Sequence, residues 1–157
     1  KRRHRGIDFD STRGEPVLAI ASGVVTFSGV DLPGRGTARP MRSRAANRFS
    51  PRRMGKGGRY VCIEHDTARD PENSADPPDR LVSCSMHLDE INVENGERVE
   101  RGQRIGTVGR TGIKYSAPHL HFEVIRNGRR IDPSKLLEEF VIRNPPPKPK
   151  RIRRGSR

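Results

Sequence analysis

Hydrophobic positions in this chain come in short bursts broken by glycine and proline, a pattern that predicts strands and turns rather than long helices. Residues 17–30 (VLAIASGVVTFSGV) are rich in β-branched and apolar residues, with Gly23 and Gly29 as punctuation. They read as two short strands joined by a tight turn. Residues 31–57 run through Pro, Gly, Arg and Ser with almost no apolar periodicity, which predicts a long loop inserted into the domain. Residues 60–64 (YVCIE) and 81–86 (LVSCSM) read as strands, and the segment 66–80 between them holds Pro71, Pro77, Pro78 and five acids, so it is a second loop. Paired as a hairpin, the two strands can bring Cys62 opposite Cys84 in one of the registers open to them, and spacing alone leaves a disulfide and a simple packed pair both open. Residues 91–109 alternate apolar and polar positions with Gly at each turn, giving at least two strands, one of them over 104–108. Residues 119–125 (HLHFEVI) form a further strand, closed by the hairpin signal Asn127-Gly128. Asp132-Pro133 then opens a short helix to position 141, with Asp as N-cap and Pro at the first helical position. The sum is a mostly β, antiparallel domain of about seven strands with one short C-terminal helix.

Composition narrows this picture. The chain has 157 residues, enough for one ordinary domain, and only 31% are hydrophobic and 4% aromatic, with no Trp. The core must therefore be small and built from Val, Ile, Leu and Ala. The longest apolar runs, such as residues 17–20, fall far short of the roughly 20 residues a membrane span requires, so no transmembrane segment is expected. A net charge of +13 is spread unevenly: four Lys/Arg in residues 1–5, nine in 35–59 and seven in 143–157, with no acid in any of these stretches. Removing those 20 from the 32 basic residues leaves 12 against 19 acids, a net of −7 for the remainder. The basicity is peripheral, and such blocks attract polyanions. The domain is expected to span 1–142, with the basic insertion 31–57 and the acidic loop 66–80 inside it, followed by a Pro/Arg-rich tail over 143–157. A nucleic-acid binder is disfavoured, because aromatics are not interleaved with the basic residues and no recognisable binding motif is present.

Four of the five histidines sit in settings that suggest chemistry. In Pro118-His119-Leu120-His121-Phe122-Glu123 the two His are one residue apart on a strand, so both imidazoles share a face while Leu120 and Phe122 point into the core. In His4-Arg5-Gly6-Ile7-Asp8 a His and an Asp flank a Gly that permits a sharp turn. His87 follows Met86 at the end of a strand. Each element alone is weak. Together they supply the donor set of a catalytic zinc site: three protein ligands drawn from His and Asp, plus neighbouring groups to move a proton and stabilise an oxyanion. His65 is left over and reads as structural.

On these residues the chain resembles the lysostaphin-type zinc endopeptidases, which cleave peptidoglycan peptides, in matching order from His4 to about Leu137. Residues 4–8 match the family's His-x-Gly-x-Asp and residues 118–123 its His-x-His strand, while residues 21–29 and 95–112 resemble its Gly-punctuated strand repeats. The resemblance implies the family's antiparallel β fold (a duplicated hybrid motif), zinc (Zn2+) as cofactor, His4, Asp8 and His121 as metal ligands, and His87 and His119 as catalytic imidazoles. It implies peptidoglycan stem peptides as substrate, a periplasmic or secreted location, and anionic cell-wall polymers as partners of the basic segments. Two departures stand out. Ser85 occupies a position where the family often has Tyr, and the two loops 31–57 and 66–80 exceed the usual pattern. The alternative function is an inactive wall-binding module that activates other hydrolases. Such relatives normally lack a ligand, whereas all five candidate residues are present here. The bond cut is expected to be a direct cross-link rather than a glycine bridge, since no separate targeting domain is visible.

Overall fold

A computed structural model describes residues 6–34, 36–66, 79–134 and 136. Eleven strands are present among them: β1 Ile7–Asp10, β2 Pro16–Leu18, β3 Gly23–Asp31, β4 Ala38–Pro40, β5 Arg59–His65, β6 Leu81–Leu88, β7 Glu90–Ile91, β8 Arg98–Val99, β9 Arg104–Thr107, β10 His119–Arg126 and β11 Arg129–Ile131. All pair antiparallel. The main sheet runs β1-β10-β6-β5-β3-β4, with β11 also on β10 and β8 also on β3; β2, β9 and β7 make a second, three-stranded sheet. Between the sheets lies a core of small aliphatics, among them Val17, Val25, Val61, Ile63, Leu88, Ile91, Val93 and Ile105. No helix of the described residues is long and apolar enough to cross a membrane.

The mostly antiparallel β reading holds, and several local readings hold with it. Cys62 pairs directly with Cys84 in the β5–β6 register, and the two sulfurs form a disulfide across a Cα–Cα distance of 4.1 Å. Asn127 (φ 49°) and Gly128 (φ 77°) make the left-handed turn between β10 and β11. Asp132 Oδ1 accepts the Ser134 N–H at 3.0 Å, as an N-cap should. Residues 133, 134 and 136 are helical, while the rest of the expected helix, most of the acidic loop and the tail lie outside the described residues. His65 is buried, its Nδ1–H donating to Ala21 O and its Nε2 accepting from Ser83 Oγ.

Three expectations need correcting. Residues 17–30 are not a hairpin, because β2 pairs β9 in the small sheet while β3 pairs β5 in the large one. The apolar run is continuous because both strands face one core, and adjacency in sequence did not mean pairing in space. Residues 31–57 are not a structureless loop, for they hold β4, helix α1 (Ser43–Arg48) and a single 3-10 turn at Pro51–Arg53. Ala46 and Met54 anchor this segment in the core. Its helix end is held from below by the buried Arg59, which donates to Ala46 O (2.7 Å), Asn47 O (2.9 Å) and Phe49 O (2.9 Å). Gly6 is needed for close approach rather than a left-handed turn. A Cβ there would lie 2.3 Å from Phe122 O on the neighbouring strand.

Candidate active site

The β1–β10 register places Asp8 directly opposite His121 and Asp10 opposite His119. Side chains of directly paired residues share a face, and the consequence is a short contact: His121 Nδ1 lies 2.6 Å from Asp8 Oδ1, with His119 Nε2 3.9 Å from the same oxygen. Both histidine side chains are 13% exposed, so they are largely shielded yet still reach solvent. Leu120 and Phe122, facing the other way, pack inward.

His87 reaches this face by a different device. Along β5 and β6 the pairing steps from Val61–Ser85 to Arg59–Leu88, two residues on one strand against three on the other, and His87 has φ 64°. This bulge turns a side chain that strict alternation would send to the opposite face. The imidazole packs edge-on to His119, ring centroids 5.0 Å apart, and 5.8 Å from His121. Thr111 locks the bend. Its carbonyl accepts from His87 Nδ1–H at 3.0 Å, its hydroxyl donates to Leu88 O at 2.8 Å, and the same hydroxyl accepts the Arg59 N–H at 2.9 Å. Gly58, at φ 64°, lets the chain pass this close, since a Cβ would sit 2.3 Å from Thr111 O.

The protonation pattern follows from these surroundings. Burial pushes the His87 imidazole down to about 4, against smaller opposing help from the Thr111 carbonyl. His121 goes the other way: its hydrogen bond to Glu123 raises it above the ordinary value, with Asp8 adding to the rise and partial burial opposing it. Burial alone would raise Glu123, but the bonds from His121 and Arg130 prevail and hold it below the usual carboxylate range. Glu123 Oε1 lies 3.3 Å from His121 Nε2, and Glu123 Oε2 accepts from Arg130 Nε at 2.6 Å. A carbonyl can only accept, so His87 and His119, bonded through Nδ1 to Thr111 O and Ala117 O, both keep the proton on Nδ1 and turn Nε2 outward.

Of the five residues singled out from sequence, Asp8, His87, His119 and His121 converge, and His4 lies outside the described residues. Among those described, no group of three His, Cys, Asp or Glu is arranged to hold a metal by itself. The donor chemistry nevertheless suits a divalent cation. His121 sits between two carboxylates that both favour a positive charge, and the Glu123 contact at Nε2 suits the tautomer that would present the Nδ1 lone pair, beside Asp8, to a metal. Glu123, Arg130 and Thr111 were not assigned roles from sequence. Glu123 was within reach, being two residues beyond His121 on the same strand and hence on the same face. Thr111 carries no local signal at all.

An antiparallel β domain that gathers an Asp and three His on one face is the architecture of the lysostaphin-type peptidases. The chain belongs to peptidase family M23, whose model matches residues 2–133. It is 30% identical over 132 residues to the peptidoglycan DD-endopeptidase ShyA of Vibrio cholerae, covering 84% of this chain and 22% of that protein. It is 26% identical over 136 residues to the murein hydrolase activator NlpD of Escherichia coli, covering 87% of this chain and 26% of that protein. The chain is also similar to solved structures, of which two serve as examples. The catalytic domain of the antimicrobial peptidase lysostaphin from Staphylococcus simulans has a TM-score of 0.59 at 28% identity, over 86% of this chain and 79% of that one. A zinc containing peptidase from Vibrio cholerae has a TM-score of 0.53 at 28% identity, over 82% of this chain and 28% of that one. The chain spans about a fifth to a quarter of the length of these curated relatives.

Proposed function

We propose that this chain is a zinc-dependent endopeptidase that hydrolyses peptide cross-links of bacterial peptidoglycan, in the periplasm or at the wall. The observation that carries the reading is the convergence of Asp8, His87, His119 and His121 on one face, drawn from three strands. Asp8 and His121, with His4, would hold the metal. When bound, zinc supplies Lewis-acid polarisation to the scissile carbonyl and the attacking water. His119 takes the water's proton at Nε2, its Nδ1–H being committed to Ala117 O. His87, with Nδ1–H on Thr111 O, faces the carbonyl with Nε2. Burial keeps it neutral at rest, so its Nε2 would donate to the developing oxyanion only after receiving the proton that the neighbouring His119 takes from the water. The disulfide favours an oxidising compartment, in keeping with a site of action outside the cytoplasm. The direct cross-link is the preferred bond, supported by the likeness to a protein named as a DD-endopeptidase.

The likeness to a murein hydrolase activator favours one second reading, a domain that binds the wall and stimulates other enzymes without cutting. Mass spectrometry of defined muropeptides, with zinc-loaded protein and a chelator control, separates the two. Cleavage that disappears with chelator and returns with zinc is expected, and its absence with every cross-link type would leave the activator reading standing. His121→Ala should lose zinc, whereas His119→Ala should keep zinc and lose turnover. Equal metal retention in both variants would break the ligand assignment.

A further inference from the structure

Two groups of the described arginines contrast in what their side chains meet. Arg13, Arg80, Arg98, Arg126 and Arg130 each hold a carboxylate. Arg39, Arg42, Arg44, Arg48 and Arg52 are all exposed, and none has an ion-pair or hydrogen-bond partner for its side chain among the described residues. These five fall within 14 consecutive positions, inside a stretch, 32–63, that contains no acid. Like charges this dense along the chain repel one another and weaken a fold unless something is gained from them. From this surface we infer that residues 38–57 form a docking platform for an anionic polymer of the wall, gripped by Arg39, Arg42, Arg44, Arg48 and Arg52.

The platform is held rigidly, which distinguishes it from a basic tail. Glu94 accepts from Ser43 N (3.0 Å) and Ser43 Oγ (2.5 Å) at the start of α1. Asn47 bonds Ile91 in both directions, Nδ2 to O at 2.9 Å and Oδ1 from N at 2.8 Å. Arg59 takes the carbonyls at the helix end. Cations fixed in advance lose little backbone entropy on binding, and Arg44 and Arg48 stand one turn apart, about 6 Å along the helix axis. The platform also borders the histidine site. Its last residues include Gly57, whose carbonyl accepts the His87 N–H at 3.2 Å.

The surface chemistry selects the occupant. The exposed large apolar side chains of the described residues are Phe9, Leu18, Val24 and Tyr115, none of them on the platform, so it lacks the apolar face a membrane-surface helix needs. Phe49 is half-buried with the Arg53 guanidinium 5.3 Å over its ring, so no aromatic is free to stack a base. What remains is point-charge recognition of repeating phosphodiesters or carboxylates. Only the choice of a wall polymer rests on the function proposed above.

The test uses the full chain, the fourfold variant Arg42→Gln/Arg44→Gln/Arg48→Gln/Arg52→Gln and its fourfold Lys counterpart. Binding to labelled inorganic polyphosphate and to labelled polyglutamate is followed by anisotropy from low to moderate salt. Each lost ionic contact removes about 0.7–0.9 from the slope of log affinity against log salt, so the Gln variant should lose about 3 in slope and the Lys variant almost nothing. Preference between the two probes tells phosphate from carboxylate recognition. Cleavage of a small soluble peptide should be equal in all three proteins. An unchanged slope in the Gln variant would overturn the platform, as would tighter wild-type binding to duplex DNA or to phosphatidylglycerol vesicles at matched salt. Loss of peptide cleavage in wild type with the slope effect intact would overturn the enzymatic reading alone.

Discussion

Reducing the Cys62–Cys84 bridge is expected to lower the unfolding free energy by about 3.4 kcal/mol, the loop-closure entropy at 25 °C for a cross-link of this span. The sequence separation is 22, and both residues are buried in the middle of paired strands. Reduction keeps both sulfur atoms, so it avoids the loss of side-chain volume that truncating the cysteines would add. For a chain of this size the change corresponds to a fall in melting temperature of about 7–14 °C. Thermal and urea unfolding of metal-free protein, with and without reductant, measures it directly. The double variant Cys62→Ala/Cys84→Ala should fall at least as far, since it adds the loss of two buried sulfurs. Coincident melts with and without reductant, or two alkylatable thiols in the freshly isolated native protein, would refute the reasoning.

Two further predictions concern the site. Glu123→Gln keeps the shape but removes the charge that holds His121 Nε2–H, so zinc affinity should drop about 10–100-fold in a chelator competition assay; unchanged affinity would mean that Glu123 serves only Arg130. In chelator-treated protein, stability should fall as pH drops from about 6.5 to about 4. In that window an unfolded His87 takes a proton that the folded one, at about 4, refuses. His65, also pushed down by burial, acts in the same direction, whereas His121, raised, favours the fold below its unfolded value and loses that contribution as pH rises. His87→Asn, a residue that tolerates φ 64°, should flatten the acid limb of the stability profile, and an unaltered limb would place the loss elsewhere.

Period-two alternation made β10 readable, since HLHFEV sorts its residues onto two faces without help from the rest of the chain. Strands β5 and β6 were readable as short apolar runs between loops, but their register, and with it the Cys62–Cys84 pairing, is not fixed by spacing and comes from the structure. The insertion was not readable. Its helix has six residues, with Ala46 as its one fully buried position, and no periodicity can emerge from a single anchor. What fixes it is Arg59, outside the segment, and the sequence gives no hint that this arginine is 4% exposed and turned inward among carbonyls. The false hairpin at 17–30 had another cause. Apolar content reports burial, while the choice of partner strand depends on β9, more than eighty residues downstream.

His87 is where local rules and the site pull apart, and the structure shows what the conflict costs. A non-glycine residue at φ 64° is disfavoured by about 1–3 kcal/mol. Strict alternation would have sent the imidazole away from His119 and His121 and made the bend unnecessary. The bulge survives because three separate bonds converge on Thr111, one from the His87 ring, one to Leu88 and one from Arg59. Each is buried, so losing any of them would strand a polar group at about 1–3 kcal/mol. That outweighs the strain on the bend. Arg59 also ties the basic insertion to the core. The residue that steadies the arginine-rich segment thus helps to hold the bend that aims His87, and that segment and the candidate catalytic face share a strut.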